Sequence, residues 1–205
     1  MKHFQNLFSG LLVFLGIIAF STSAIATEPT PSQIVTAFHK VLLSTMKNAK
    51  KLGLKGRYKN IAPRIAQNFH LPLMAQVSAG SYWRRASKEQ KEKFIAAFTR
   101  ISISTYASQF NGFSGQSFVT KSEKAGPQKT ILVNTQIINP ESNSIDITYV
   151  TQKTKGQWRI VDILMDIGIS ELAIRRSEYR RILETGGFDK LITALNAKAD
   201  YLLTE

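Results

Sequence analysis

QWRIVDILMDIGISELAIRRSEY, residues 157–179, decides the fold because its pattern changes from a strand to a helix around Gly168. The first half alternates in the way of a β-strand, and the residues predicted on one face are Trp158, Ile160, Asp162 and Leu164. The opposite face is also apolar towards its end, which predicts a central strand that is covered on both sides. After the glycine, Ser170 is a good N-cap for a helix, and Glu171 is an acid in its first turn.

The beginning of the chain has the pattern of a secretory signal peptide. A short basic start precedes an apolar run over residues 11–20 and a small-x-small cleavage site, Ala24-Ile25-Ala26. The alternative, a retained membrane anchor, is less favoured because a spanning helix needs roughly 20 apolar residues. We therefore predict a signal peptide over residues 1–26 and a single periplasmic domain over residues 27–205, with the mature chain starting near Thr27.

Composition narrows the classes of partner. The chain has 205 residues, a formal net charge of +13 and no cysteine, which excludes disulfides and thiolate chemistry. Strong basicity in a cytoplasmic protein would suggest nucleic acid, but for an exported protein we expect lipid headgroups or an acidic protein surface instead. A basic surface that serves only solubility is the alternative.

Hydrophobic periodicity predicts helices first, then strands, then two further helices. The predicted helical segments before the strands are a helix capped by Ser32, two short helices between Tyr58 and Val77, and a long helix over Ser87–Phe110 that opens with a Ser87/Gln90 capping box. Residues 47–59 are expected to form a basic surface loop. The predicted strands are 117–122, 128–138, 144–154 and the strand that begins at Gln157. Gly186-Gly187 is expected to break the chain between the last two helices.

This order predicts an α+β domain, in which N-terminal helices pack on a curved antiparallel sheet of about four strands and C-terminal helices follow. A cone-like arrangement of this kind encloses an apolar space between helices and sheet. The abundant aromatic and aliphatic residues either fill that space as a plain core or line a ligand cavity.

Residues with catalytic or metal-binding potential are few. The histidines of the predicted mature chain are His39, expected on the polar flank of the first helix, and His70, expected at a helix end; neither has metal-ligand spacing. Asp162 and Asp166 share a predicted strand face and could act as an acid–base pair. Carboxylates that meet an arginine or a backbone N–H are the favoured interpretation. We predict no enzyme activity, no cofactor and no metal.

Arginine pairs are the second unusual feature. They are Arg84-Arg85, Arg175-Arg176 and Arg180-Arg181, of which the last two lie about one helical turn apart. The simpler interpretation is that these arginines only form part of the solvent-exposed surface. The functional one is a docking surface for phosphate headgroups or for an acidic partner.

Several short motifs occur in a fixed order along nearly the whole mature chain. In the C-terminal half they are Trp158-x-x-x-Asp162, Gly168-Ile169-Ser170, Arg175-Arg176-Ser177-Glu178-Tyr179 and Gly186-Gly187-Phe188-Asp189. In the N-terminal half they are Arg57-Tyr58, Phe69-His70-Leu71-Pro72-Leu73-Met74, Trp83, Gln90, Phe94, Tyr106 and Phe110. Together they resemble the MlaC-like toluene-tolerance family, the periplasmic lipid-binding components of bacterial ABC transport systems. Residues 104–110 and 169–179 are most similar to its hopanoid-biosynthesis-associated branch, HpnM.

The resemblance implies a cystatin-like cone whose cavity holds lipid tails between helices and sheet. It also implies a monomeric, non-catalytic shuttle that moves phospholipid or a hopanoid-type lipid between the inner and outer membranes. The implied partners are an inner-membrane ABC transporter complex and an outer-membrane lipoprotein complex. Two alternatives stay open: an exported enzyme of the same cone fold that acts on a lipid-like substrate, and a periplasmic adaptor that carries no lipid.

Site residues follow from this resemblance and from the predicted faces. The residues expected to bind lipid are Phe38, Leu42, Phe69, Leu73, Met74, Val77, Phe94, Phe98, Ile101, Tyr106, Phe110, Ile131, Val133, Ile145, Ile147, Tyr149, Trp158, Ile160, Leu164, Ile169 and Leu172. The residues expected to contact a headgroup or a partner are Arg84, Arg85, Arg175, Arg176 and Arg180.

Overall fold

The computed structural model describes residues 28–166 and 168–204, so the predicted signal peptide lies outside the described residues. The helices are α1 Pro31–Lys47, α2 Ala49–Asn68, α3 Leu71–Ala79, α4 Lys88–Gln109 and α5 Glu171–Leu202, with a 3-10 turn at Gly80–Arg85 before α4. The strands are β1 Ser117–Ala125, β2 Thr130–Ile138, β3 Ile145–Thr154, β4 Gln157–Met165 and β5 Ile169–Ser170. The predicted α+β class and element order are confirmed.

The strands form one antiparallel sheet in the order β1-β2-β3-β4-β5, which is the predicted meander with a two-residue strand added. One face of the sheet is covered by helices, since every second residue along β2 and β3 is buried. These residues are Val133, Thr135, Ile147, Tyr149 and Thr151. A β-bulge at Lys121 interrupts the pairing of β1 with β2.

A second β-bulge changes which residues of β4 face the helices. Thr151 pairs with Ile160 and the preceding Val150 pairs with Asp162, so Val161 is an extra residue without a partner on β3. Because this bulge adds one residue to β4, the alternation of its side chains between the two sheet faces shifts by one position after Val161. Ile160 and Asp162 therefore do not share a face, and the predicted face of Trp158, Ile160, Asp162 and Leu164 is wrong.

This switch also explains why both faces of β4 are apolar in sequence. Beyond the bulge, Ile163 lies opposite Tyr149 and Met165 lies opposite Ile147, so these two residues take over the helix-covered face. The strand has a neighbour on each side, as predicted for a central strand, but the far-side neighbour is only the two-residue β5. Elsewhere on that side β4 meets Phe69, which forms an isolated bridge with Ile160, and His70, whose N–H donates to the Ile160 carbonyl at 2.9 Å.

The expected basic loop over residues 47–59 is helical instead. α2 begins at Ala49 and bends at Gly53, whose φ of 58° is readily adopted only by glycine. The lysines here are exposed, whereas the leucines between them are half-buried. Arg57 Nε donates a 2.7 Å hydrogen bond to the Ala107 carbonyl of α4, so an amphipathic segment that looked like a loop packs against the long helix.

Helix starts follow the predicted capping chemistry in two cases and differ in one. α4 has the Ser87/Gln90 capping box, and Ser170 is the N-cap of α5. α1 is capped by Thr30 rather than by Ser32, because Pro31 occupies the first helical position. The predicted break before the last helical segment is confirmed at Gly187, where φ is 62°.

Asp162 joins β4 to the start of α5. Its carboxylate accepts hydrogen bonds from the Ser170 hydroxyl at 2.5 Å and from the Leu172 backbone N–H at 3.2 Å. It also accepts one from its neighbour Ile163 N–H at 2.8 Å. Ser170 Oγ in turn accepts from Ala173 N–H at 3.0 Å. The interpretation that this acid meets backbone N–H groups is therefore confirmed.

We expect Asp162→Ala to reduce the free energy of unfolding by about 1–3 kcal/mol, because the donors of the α5 start lose their acceptor. Urea unfolding at neutral pH measures the change. Asp166→Asn is the matched control, since Asp166 is exposed, has a φ of 44° that asparagine tolerates, and should lose less than about 0.5 kcal/mol. Equal losses in the two variants would contradict the anchoring role of Asp162.

Candidate ligand-binding cavity

A cavity of about 370 Å³ lies between the covered face of the sheet and the helices. The expected lipid-binding residues that border it are Phe69, Met74, Phe98, Tyr106, Phe110, Ile145, Ile147, Tyr149 and Leu172. The bordering residues outside that prediction are Ile65, Leu71, Ser102, Thr105, Gln109, Ile137, Ile163, Met165 and Glu171. The helices thus provide one wall, and β2, β3 and β4 provide the other.

The remaining residues of the predicted set do not border the cavity. Six are buried in the core: Phe38, Leu42, Phe94, Ile101, Val133 and Ile160. Four are half-buried, namely Leu73, Ile131, Trp158 and Leu164, and two are exposed, namely Val77 and Ile169. Alternation could not separate these groups, because residues of the core and residues of the cavity wall lie on the same sheet face.

Aromatic contacts hold the inner wall of the cavity in place. Phe38 is fully buried behind the wall, and its ring meets Phe69 edge-on at 5.0 Å and Tyr106 edge-on at 5.2 Å between centroids. Tyr106 also stacks with Phe110 at 5.7 Å. Such packing fixes the orientation of the rings. Phe38 therefore supports the cavity without bordering it.

Arg175 is the cation of the cavity wall. Its side chain is only 21% exposed, and its guanidinium lies 5.8 Å from the centre of the Phe98 ring. Arg175 Nη1 donates a 3.4 Å hydrogen bond to the Tyr179 hydroxyl, and its Nε lies 3.9 Å from Glu171 Oε2. The remaining guanidinium donors make no hydrogen bond to residues 28–166 or 168–204, so they are available to an anionic ligand.

The other predicted arginines lie on the surface. Arg84 and Arg85 end the 3-10 turn, and Arg176 and Arg180 lie on α5; all four are exposed. Arg180 Nε is 2.7 Å from Glu184 on the same helix. The side chain of Arg175 thus lies on a different side of α5 from the exposed arginines of that helix. Of the five arginines predicted to contact a headgroup or a partner, only Arg175 borders the cavity.

The hydroxyl groups of the cavity wall differ in whether they already form hydrogen bonds within the protein. Ser102 Oγ and Thr105 Oγ1 donate to carbonyls of their own helix at 2.7 and 2.8 Å. The Tyr106 hydroxyl has no hydrogen-bond partner within the described part of the chain. Burial raises the pKa of Tyr106, so the group stays protonated and can donate to a ligand.

His39 is buried beneath the wall, which corrects its predicted place on a polar flank. It is 4% exposed, stacks on Phe118 at 4.3 Å and has its Nε2 3.0 Å from the Tyr149 hydroxyl. Loss of hydration lowers its pKa from 6.5 to about 4, so the ring is neutral at neutral pH. His70 lies at a helix end as predicted, where its Nδ1 accepts from Leu73 N–H at the start of α3.

Two features of the described residues bear on other functions. Over residues 28–166 and 168–204, no cluster of three or more histidine, aspartate and glutamate side chains is arranged to hold a metal ion. Within the same ranges, every helix is too short or too polar to cross a bilayer.

Three known proteins or families are similar to this chain. A family model described as "MlaC protein" matches residues 36–197. The intermembrane phospholipid transport system binding protein MlaC of Haemophilus influenzae is 29% identical over 124 residues, and this match spans 58% of either chain. A phospholipid-binding protein of Ralstonia solanacearum, solved in complex with a phospholipid, has a TM-score of 0.73 at 19% identity, covering 86% of this chain and 99% of its own.

The buried position of His39 predicts a stability that falls with acidification. Below about pH 6.5 the unfolded chain protonates this histidine, whereas the folded chain does so only near pH 4, so its contribution is lost between these values. Between pH 7 and pH 4.5 we expect the wild-type protein to lose roughly 2 kcal/mol more unfolding free energy than His39→Gln, as measured with urea. Equal losses in the two proteins would refute the burial of a neutral imidazole.

Proposed function

The chain belongs to the MlaC family, and from this we propose that it is a non-catalytic carrier that binds a phospholipid. The observation that supports the proposal is the largely apolar cavity of about 370 Å³ with the Arg175 guanidinium in its wall. Ligand sites typically combine apolar walls with a few placed polar groups. The tails would lie against the aromatic and aliphatic wall, and the phosphate would meet the unused donors of Arg175.

The energetics of lipid transfer explain why such a cavity is needed. Each buried CH₂ group contributes about 0.8 kcal/mol of transfer free energy, so a long acyl chain does not cross water unshielded. Ile147, Ile163 and Met165 on the sheet side and Phe98 and Leu172 on the helix side offer an apolar environment of the kind that a membrane provides. A carrier with these walls lowers the barrier between two membranes without any covalent step.

The finer proposal is that the carrier works in the periplasm, after removal of residues 1–26, and moves lipid between the inner and outer membranes. The name of the Haemophilus relative, which describes an intermembrane system, supports this. A hopanoid-type ligand is the alternative that the similarity to the hopanoid branch suggests. The charged pair of Glu171 and Arg175 at the cavity favours a charged headgroup over an uncharged polycyclic lipid.

The exposed arginines support a second part of the proposal, in which the carrier docks on membrane complexes. Arg84, Arg85, Arg176 and Arg180 are exposed and could meet anionic headgroups or acidic faces of an inner-membrane ABC transporter complex and an outer-membrane lipoprotein complex. The non-carrier adaptor differs from this proposal only in lacking lipid. Lipid analysis of the protein purified without detergent separates the two.

An exported enzyme is less well supported. Asp162 is engaged by Ser170 and by the backbone of α5, whereas Asp166 lies exposed in the turn after β4. The two acids therefore lie in different surroundings, which does not favour the paired acid–base arrangement that the enzyme hypothesis requires.

Filling the cavity tests the carrier proposal. We expect Ser102→Trp to abolish most of the lipid that co-purifies with the protein, because an indole at this wall position occupies the space of a tail. Native mass spectrometry and lipid extraction measure the bound lipid. Glu92→Trp, at an exposed position of the same helix, is the matched control and should retain it. A lipid-free wild-type protein, or full lipid content in Ser102→Trp, would contradict the proposal.

Charge reversal tests the docking surface. We expect the double variant Arg84→Glu/Arg85→Glu to take up lipid from anionic vesicles about tenfold more slowly, since each basic residue near such a surface contributes about 1 kcal/mol. Lys50→Glu/Lys51→Glu makes the same change at two exposed lysines of α2 and serves as the control. Equal slowing in both variants would show that only net charge matters and would refute a defined docking surface.

A further inference from the structure

We infer that Glu171 and Arg175 form a two-charge site for a zwitterionic headgroup, in which Arg175 binds the phosphate and Glu171 binds a primary ammonium. The inference rests on the proposed function and names its substrate class: phospholipids of the phosphatidylethanolamine type. Both residues border the cavity, and they lie four positions apart on the first turns of α5. Their side chains therefore project from the same side of the helix.

The two charges do not satisfy each other. Arg175 Nε and Glu171 Oε2 are 3.9 Å apart, which is too long for a hydrogen bond. The Glu171 carboxylate accepts no hydrogen bond from any residue that the structure describes, and Arg175 makes only its 3.4 Å bond to Tyr179. Both side chains nevertheless lie at an apolar wall, with exposures of 36% for Glu171 and 21% for Arg175. Unused donors and acceptors at such a place favour a ligand that supplies their partners.

A third group can assist the phosphate. The Tyr106 hydroxyl borders the cavity without a partner in the described chain, and it lies near enough to both charged residues for them to influence its ionisation. Arg175 and Tyr106 together present N–H and O–H donors, whereas Glu171 presents only acceptors at neutral pH. Donors therefore lie beside an acceptor along the cavity wall.

The signs of these charges discriminate among lipid headgroups. An uncharged lipid leaves both residues without a partner. An anionic headgroup such as phosphatidylglycerol pairs with Arg175 but brings its negative charge next to Glu171, which is unfavourable. A phosphate followed by an ammonium group satisfies both. A primary ammonium is favoured over a quaternary one, because only the primary group can donate hydrogen bonds to the carboxylate.

Lipid exchange with mixed vesicles tests the inference. Delipidated protein is incubated with vesicles that contain equal amounts of phosphatidylethanolamine and phosphatidylglycerol with identical acyl chains, then separated and analysed by mass spectrometry. We expect the lipid bound to the wild-type protein to be enriched roughly three- to tenfold in phosphatidylethanolamine relative to the vesicles. This is the preference that the free energy of one charge-assisted hydrogen bond produces. In Glu171→Gln the ratio of bound lipids should fall to that of the vesicles.

Two further variants exclude a trivial loss of structure. Glu171→Asp keeps the charge and should keep at least part of the preference. Glu178→Gln removes an exposed carboxylate of the same helix, and its lipid ratio should equal that of the wild type. Thermal unfolding of each variant verifies that α5 is folded.

The outcomes separate this inference from the proposed function. Wild-type protein that binds both lipids without preference, or Glu171→Gln that keeps the wild-type ratio, would overturn the headgroup site and leave the carrier intact. Wild-type protein that binds neither lipid would overturn the carrier proposal and the headgroup site together. Soluble glycerophosphoethanolamine is the last arm: displacement of lipid by this tail-free compound at equal concentration would indicate a site for free phosphodiesters and would overturn the inference.

Discussion

The hydrogen bonds of the Asp162 carboxylate fix the geometry on which the cavity depends. They tie Ser170 and the Leu172 N–H to β4, so the long C-terminal helix leaves the sheet at a defined position and in a defined direction. Glu171, Leu172 and Arg175, which follow this fixed start, all border the cavity. A half-buried acid thus has a positional role, and the same few atoms link the wall of strands to the wall of helices.

The cavity combines two environments that oppose each other. A guanidinium at an apolar wall loses hydration, and that loss is offset by the face of Phe98, by Tyr179 and by the nearby Glu171. Each of these contacts is long or weak, so the cation is held without being saturated. The aromatic wall behind this cation is tightly packed in contrast, because the ring of Phe38 meets those of Phe69 and Tyr106 edge to face and restricts their movement. A rigid apolar wall beside a poorly satisfied charge suits an amphiphile.

Much of the fold could be predicted from the sequence because local patterns carry it. The α+β order, the meander, the Ser87/Gln90 capping box and the break at Gly187 all follow from periodicity and cap chemistry. The bulge at Val161 could not be predicted, since one extra residue changes the faces of β4 without changing its composition. The helix across Gly53 was obscured by its lysines and glycines, and its hydrogen bond to α4 through Arg57 depends on the tertiary fold. His39 was misplaced, and Arg175 could not be told apart from the other paired arginines, for one reason: the direction of a polar side chain depends on tertiary neighbours, here Phe118, Tyr149 and Phe98.

The bulge at Lys121 affects how readily copies of the chain can pair through the edges of their sheets. β1 is the open edge of the sheet, and an open edge can add a strand from a second copy and so begin aggregation. The bulge interrupts the regular ladder at Lys121, and exposed lysines at positions 121 and 124 place charge along the same edge. At the opposite end, β4 is covered by β5 and by the bridge from Phe69. Both edges of the sheet are thereby protected from pairing with a strand of another copy. Many copies of the chain can therefore share a confined space without their sheets joining.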